Sequence, residues 1–160
     1  MGESQKQPFQ LSFNRFLRVA FQGSRITSNG GLILVRELDE RLGFGELIEQ
    51  YLTDPWAINA RFSFADLLRQ SVYSRLAGYE DVNSAERLSQ DPAFRLMGSE
   101  KIWDRGAALT SRLQTFETEM LAKKENFAGL ARLNRELIGK AEAFASAYRS
   151  PGPDNPTTIP

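Results

Sequence analysis

Few residue clusters in this chain have types and spacings that chemistry could use. Glu80-Asp81 is an adjacent carboxylate pair between Gly78 and Asn83, of the kind that can ligate a divalent cation. In a helix–helix turn such acids more often cap a backbone or sit in solvent, and the pair reads as structural. Gly30-Gly31 lacks the Walker spacing and its Lys-Ser/Thr, so it is not a phosphate loop. Gly43-Phe44-Gly45 lacks the third glycine of a dinucleotide fingerprint and follows a helical pattern rather than a strand. The better cluster is Thr110, Ser111, Arg112, Gln114 and Thr115, at the front of a polar helix. Arg bonds guanine bidentately, Gln pairs with adenine, and Ser and Thr hydroxyls reach phosphates. A short helix around Asp91–Met97 ahead of it would complete a helix-turn-helix variant, although the connector 98–109 is far longer than the usual turn. The competing reading is a solvated face on a packing helix.

Composition removes most other chemistry. The 160 residues include no Cys and no His, which excludes disulfides, thiolate zinc sites, cysteine nucleophiles and imidazole bases. The length suits one domain, or a small domain with an extension, and an apolar fraction of 41% is that of an ordinary globular protein. Charge balances at 20 Lys+Arg and 20 Asp+Glu but is unevenly placed. Up to Arg36 the chain carries Lys6, Arg15, Arg18, Arg25 and Arg36 against Glu3, a net +4, and acids dominate from Glu37 to Asp54. Arg15, Arg18 and Arg25, with Arg105 further on, are candidate phosphate contacts; a solvated basic surface is the alternative. No apolar run approaches a membrane span, and the polar start Met1–Pro8 lacks a signal-peptide centre. The expected location is cytoplasmic and nucleoid-associated.

The periodicity predicts a mainly α fold with six to seven helices and a short N-terminal β-hairpin. Leu17–Phe21 reads as a strand turning at Gln22-Gly23-Ser24 into Arg25–Thr27. Leu34, Val35, Leu38 and Leu42 follow at helical spacing, stopped by Gly43 and Gly45; a second short helix carries Leu47, Ile48 and Leu52. Ser63–Asp66 is a capping-box variant opening a helix with an apolar stripe of Phe64, Leu67, Leu68, Val72 and Leu76 and a polar face of Arg69, Gln70, Ser74 and Arg75. Asn83–Glu86 would cap the next helix reciprocally, and Asp91-Pro92 starts another. From Thr110 to about Tyr148 the pattern is helical throughout, along Leu113, Phe116, Phe127, Leu130, Leu133, Leu137, Ala141, Phe144 and Tyr148, with Gly129 and Gly139 weakening it. Four prolines then mark 150–160 as a disordered tail. The expected division is a flexible arm over 1–14, a helical domain over 15–148 and the tail over 149–160.

Several blocks together resemble a known family. They are Thr27-Ser28-Asn29-Gly30-Gly31-Leu32 with Arg36-Glu37-Leu38-Asp39, then Phe64–Gln70 leading into Gly78-Tyr79-Glu80-Asp81-Val82-Asn83 and Asp91-Pro92-Ala93-Phe94, and finally Ala108–Leu113. Over roughly residues 15 to 143 the chain is similar to the N-terminal region of bacterial insertion-sequence transposases of the DDE group-1 type. Gly78, Tyr79, Glu80, Asp81 and Asn83 with Asp91 and Pro92 are the most specific part; they and Gly30 and Gly31 are taken as structural.

The resemblance implies a helical region that recognises terminal inverted repeats in DNA, ahead of an RNase H-like sheet whose carboxylate triad holds two metal ions. Full-length relatives are expected to use a divalent metal, Mg; none is expected in this chain. The strand that would carry the first catalytic Asp does not follow the long helix, since Ala145–Pro151 leads straight into the prolines. Asp154, between Pro153 and Asn155, is not assigned a catalytic role. The chain therefore reads as a transposase cut short, with no catalytic residues of its own. Two departures from the family pattern stand out: no basic residue lies between Asp54 and Ala60, which weakens a phosphate grip by that loop, and Ser84 occupies a position where Asp is common. The expected partners are terminal-repeat DNA, a second copy or full-length transposase. The alternatives are an inactive structural remnant and an inhibitory fragment.

Overall fold

A helix starts readily where a side chain can cap its first free N–H groups, and two such sites frame the middle of the chain. The Ser63 hydroxyl accepts from the Asp66 N–H at 3.0 Å. The Asp91 carboxylate accepts from the Phe94 N–H at 2.8 Å, with Pro92 at the first helical position. The computed structural model describes residues 8–19, 29–54 and 61–149. Among these it is mainly α, a two-stranded antiparallel hairpin followed by eight helices. Strand β1 (Phe9–Gln10) pairs with β2 (Arg18–Val19), Phe9 opposite Val19. The helices are α1 (Leu32–Leu42), α2 (Phe44–Tyr51), α3 (Phe64–Leu76), α4 (Ala85–Gln90), α5 (Pro92–Leu96), α6 (Glu100–Arg105), α7 (Thr110–Thr115) and α8 (Lys124–Tyr148). A 3-10 turn, Val82–Ser84, leads into α4, and a π-helical turn, Phe116–Leu121, continues α7. Gly43, left-handed at φ 67°, ends α1 and turns the chain into α2.

Several local expectations are corrected. The strand at Arg18–Val19 pairs back with Phe9–Gln10; the expected partner Arg25–Thr27 and the tail from Ser150 lie outside the described residues. Gly45 lies within α2 rather than stopping α1. The supposed connector 98–109 contains α6, leaving a four-residue turn, 106–109, before α7. The helix expected from Thr110 onward breaks at Ala122-Lys123, after the π-turn.

The core is gathered around α3. Phe64, Leu67, Leu68 and Tyr73 belong to one apolar cluster that draws residues from every other helix and from the π-turn, and the Phe64 and Phe116 rings meet edge-on at 5.0 Å. Because α3 is surrounded, its stripe is not the one periodicity predicts: Val72 and Leu76 face solvent, while Gln70 and Ser74 are buried. Gln70 is satisfied there because its Nε2 donates to the Ala108 carbonyl at 2.6 Å and its Oε1 accepts the Ala108 N–H at 2.9 Å. On α1, Leu34 and Leu38 lie outside and Arg36 and Asp39 inside. On α8, Phe127 is 74% exposed and its neighbour Asn126 is buried.

Candidate nucleic-acid interface

A buried charge network fixes α1 against α3. Arg69 donates to the Asp39 carboxylate through Nε at 2.9 Å and Nη2 at 2.8 Å, and the Tyr73 hydroxyl donates to the same group. Burial, reinforced by the Asp39 charge, pushes the Tyr73 phenol up and keeps it a donor. Arg36 Nη1 reaches Asp39 at 3.3 Å and Glu40 at 2.7 Å, and its Nε donates to the Met97 carbonyl at 3.1 Å. Arg36 therefore leaves the basic surface that the sequence assigns it to. Lys6 and Arg25 lie outside the described residues, so Arg15 and Arg18 represent that surface here, both exposed.

The same helix holds the hairpin loop. The Ser12 N–H donates to Glu37 at 2.6 Å, and Glu37 also takes Arg41 at 2.8 Å. Burial alone would raise the Glu37 carboxyl, but those bonds outweigh it and hold it below its ordinary value. Phe13 lies under the Arg36 guanidinium at 4.7 Å. The Phe16 N–H donates to Asn14 Oδ1 at 3.0 Å, and the Phe16 ring projects 90% exposed. Across from this loop stand Leu96, Ser99, Trp103 and Asp104, enclosing a groove of about 790 Å³. The Arg95 guanidinium lies 5.8 Å from the centre of the Trp103 ring.

The α7 cluster is split by burial. Ser111 and Gln114 are exposed, and Thr110, Arg112 and Thr115 are half-buried. Thr115 donates back to the Ser111 carbonyl at 3.0 Å, and Arg112 has a partner within the protein. Leu113 and Phe116 anchor the helix in the core. Arg105 closes α6, its side chain outside the described residues.

The motif residues form joints. Asn29, Gly30 and Gly31 make the turn into α1, and Asn29 Nδ2 donates to Asp91 at 2.9 Å, tying that turn to the α5 cap. Gly78 takes φ 89° after α3, and the Tyr79 hydroxyl accepts from Arg87 at 2.6 Å. Glu80 is exposed. Asp81 accepts from the Asn83 N–H at 2.9 Å and Asn83 Nδ2 at 2.8 Å, capping the 3-10 turn. The reciprocal cap expected over Asn83–Glu86 does not form: Ser84 makes no side-chain cap bond, because the 3-10 turn places it in helical conformation. Asp66 likewise does not return a bond to Ser63 but accepts from Ser99 N–H at 3.0 Å and Oγ at 2.8 Å. Asn126, which periodicity passes over, clamps the ends of two elements: its Oδ1 takes the Thr53 N–H at 2.7 Å and its Nδ2 donates to the Thr53 and Met120 carbonyls.

A family model described as transposase DDE domain group 1 matches residues 9–151. The chain belongs to that family. No curated protein and no solved structure matches it. In this transposase-family chain the described acids do not fit a metal pair, since no three of them converge on one point and the buried ones are spent on Arg36, Arg41, Arg69, Ser12 and Ser99. Among the described residues no helix is long and apolar enough to cross a membrane.

Proposed function

We propose that this region is a DNA-binding module of a DDE transposase that recognises the terminal inverted repeats of its element. Family membership over 9–151 is the observation that carries the reading. It is supported by Arg15 and Arg18, exposed on the hairpin with no carboxylate partner among the described residues. These two and Ser111 contact phosphates, while Gln114 of α7 reaches base edges. The turn at 106–109, containing Gly106 at φ 81°, has the length of a helix-turn-helix connection between α6 and α7. Titration of a duplex carrying the element's terminal repeat against a scrambled duplex tests this. Preference for the repeat supports the reading, and equal affinity removes it.

An inhibitory fragment that binds full-length transposase is the second reading, favoured by exposed Phe127 and Ile138 on α8. Co-migration with the full-length enzyme in the absence of DNA supports it.

A further inference from the structure

The groove between the hairpin loop and α6 has a chemistry that phosphate contact does not use. Phe16 is 90% exposed and Trp103 49% exposed, and both line it. A ring this exposed gains nothing from the core, and two on the walls of one groove form an apolar surface of a kind usually covered by a ligand. Arg15 stands on the same wall, exposed and with no carboxylate partner among the described residues. Asp104 provides an exposed acceptor at the opposite side. The arginines already in place lie against rings: Arg36 over Phe13 at 4.7 Å and Arg95 over Trp103 at 5.8 Å. Arg36 is neutralised by Asp39 and Glu40, so Arg95, against Trp103, is the one of the two that lies on a ring of the proposed stack. A flat, π-faced, negatively tethered ligand matches every one of these features. A volume of about 790 Å³ admits it without rearrangement.

We propose that this groove binds an unpaired DNA base, stacked on Trp103 and Phe16, with Arg15 on the adjoining phosphate and Asp104 accepting from an exocyclic amino group where the base carries one. The proposal rests on the reading of the chain as a DNA binder and adds a single-stranded element to it. Aromatic stacking of this kind tolerates any sequence, because every base has a π-face. The groove therefore contributes affinity at distorted or frayed DNA, while sequence preference stays with α7.

Tryptophan emission tests it directly. The chain has two tryptophans, so a Trp56→Phe background leaves Trp103 as the sole reporter. A short oligothymidylate of about ten nucleotides should quench Trp103 emission saturably. A fully paired duplex should bind without that quenching. Phe16→Ala should weaken oligothymidylate binding about tenfold, leaving duplex affinity and thermal melting as they were, and Phe16→Tyr should restore it. Oligothymidylate binding with unchanged Trp103 emission overturns the proposal, as does wild-type affinity in Phe16→Ala. A Trp103 change that tracks protein concentration without DNA assigns the groove to a second copy of the chain and overturns it equally. Each of these failures leaves duplex recognition standing, so the groove and the function are judged separately.

Discussion

Gly129 of α8 lies against the Tyr51 carbonyl at the end of α2, so close that a Cβ at Gly129 would overlap that oxygen. The same Cβ would stand 2.9 Å from a Leu52 methyl and 3.1 Å from the Tyr51 carbonyl carbon. Backbone cannot yield as a side-chain tip can, so the absence of a side chain here is what lets the two helices touch. Periodicity presents Gly129 as a flaw in a helix, whereas the packing makes it a requirement.

Gly129 and Gly139 should therefore respond oppositely to alanine. At Gly139 a Cβ meets nothing within 4 Å, and Gly139→Ala should raise stability by about 0.5–1 kcal/mol through helix propensity. Gly129→Ala should lower it by about 1–3 kcal/mol, the overpacking cost exceeding the same propensity gain. Chemical denaturation of the two variants compares them; equal stabilisation would show that α8 does not rest on α2.

The Asp39 network should behave as a unit. Asp39→Ala leaves Arg36 and Arg69 inside the fold without their shared acid, for an expected loss of about 3–5 kcal/mol. Tyr73→Phe removes one donor only, for an expected loss of about 1–2 kcal/mol. A Tyr73→Phe loss as large as that of Asp39→Ala in urea melts would show that the hydroxyl, not the ion pairs, holds α1 to α3.

These two cases show what the sequence makes legible and what it hides. Helix starts depend on neighbours in sequence, and Ser63 and Asp91-Pro92 were readable because a cap and its N–H are three residues apart. Which face turns inward depends on partners far along the chain. Leu34 and Leu38 read as core and lie outside, because Asp39 finds Arg69 and Tyr73 on α3 and Arg36 finds the Met97 carbonyl. Asn126 and Gln70 are hidden in the same way, each meeting backbone groups dozens of residues distant. Near the groove, the sequence marks Arg15 and Arg18 by charge, and both are exposed. The groove itself was not readable, since it joins a hairpin loop to α6 within a stretch that reads as connector.

Acid should expose the Glu117 clamp. Burial would raise this carboxyl, but Arg75 and the Ser71 hydroxyl outweigh it and hold the folded value below the ordinary 4.5. A folded value below the unfolded one contributes stability that is fully present above pH 4.5 and is lost as pH falls through the folded value. Glu117→Gln should therefore flatten part of the acid limb of a stability–pH curve. The exposure of Arg75 makes the effect modest. An acid limb identical to wild type would remove Glu117 from the account.

Recognition of the terminal repeat is tested most directly by salt-dependent binding of wild type, Arg15→Ala, Arg18→Ala and Gln114→Ala to cognate and scrambled duplexes. Phosphates carry no sequence information, so each arginine loss should weaken both duplexes alike and reduce the slope of log K against log salt by about one. Base edges do carry it, so Gln114→Ala should cost about 1–3 kcal/mol on the cognate repeat and little on the scrambled one. Equal wild-type affinity for the two duplexes, or a cognate-to-scrambled ratio that Gln114→Ala leaves intact, would contradict the account.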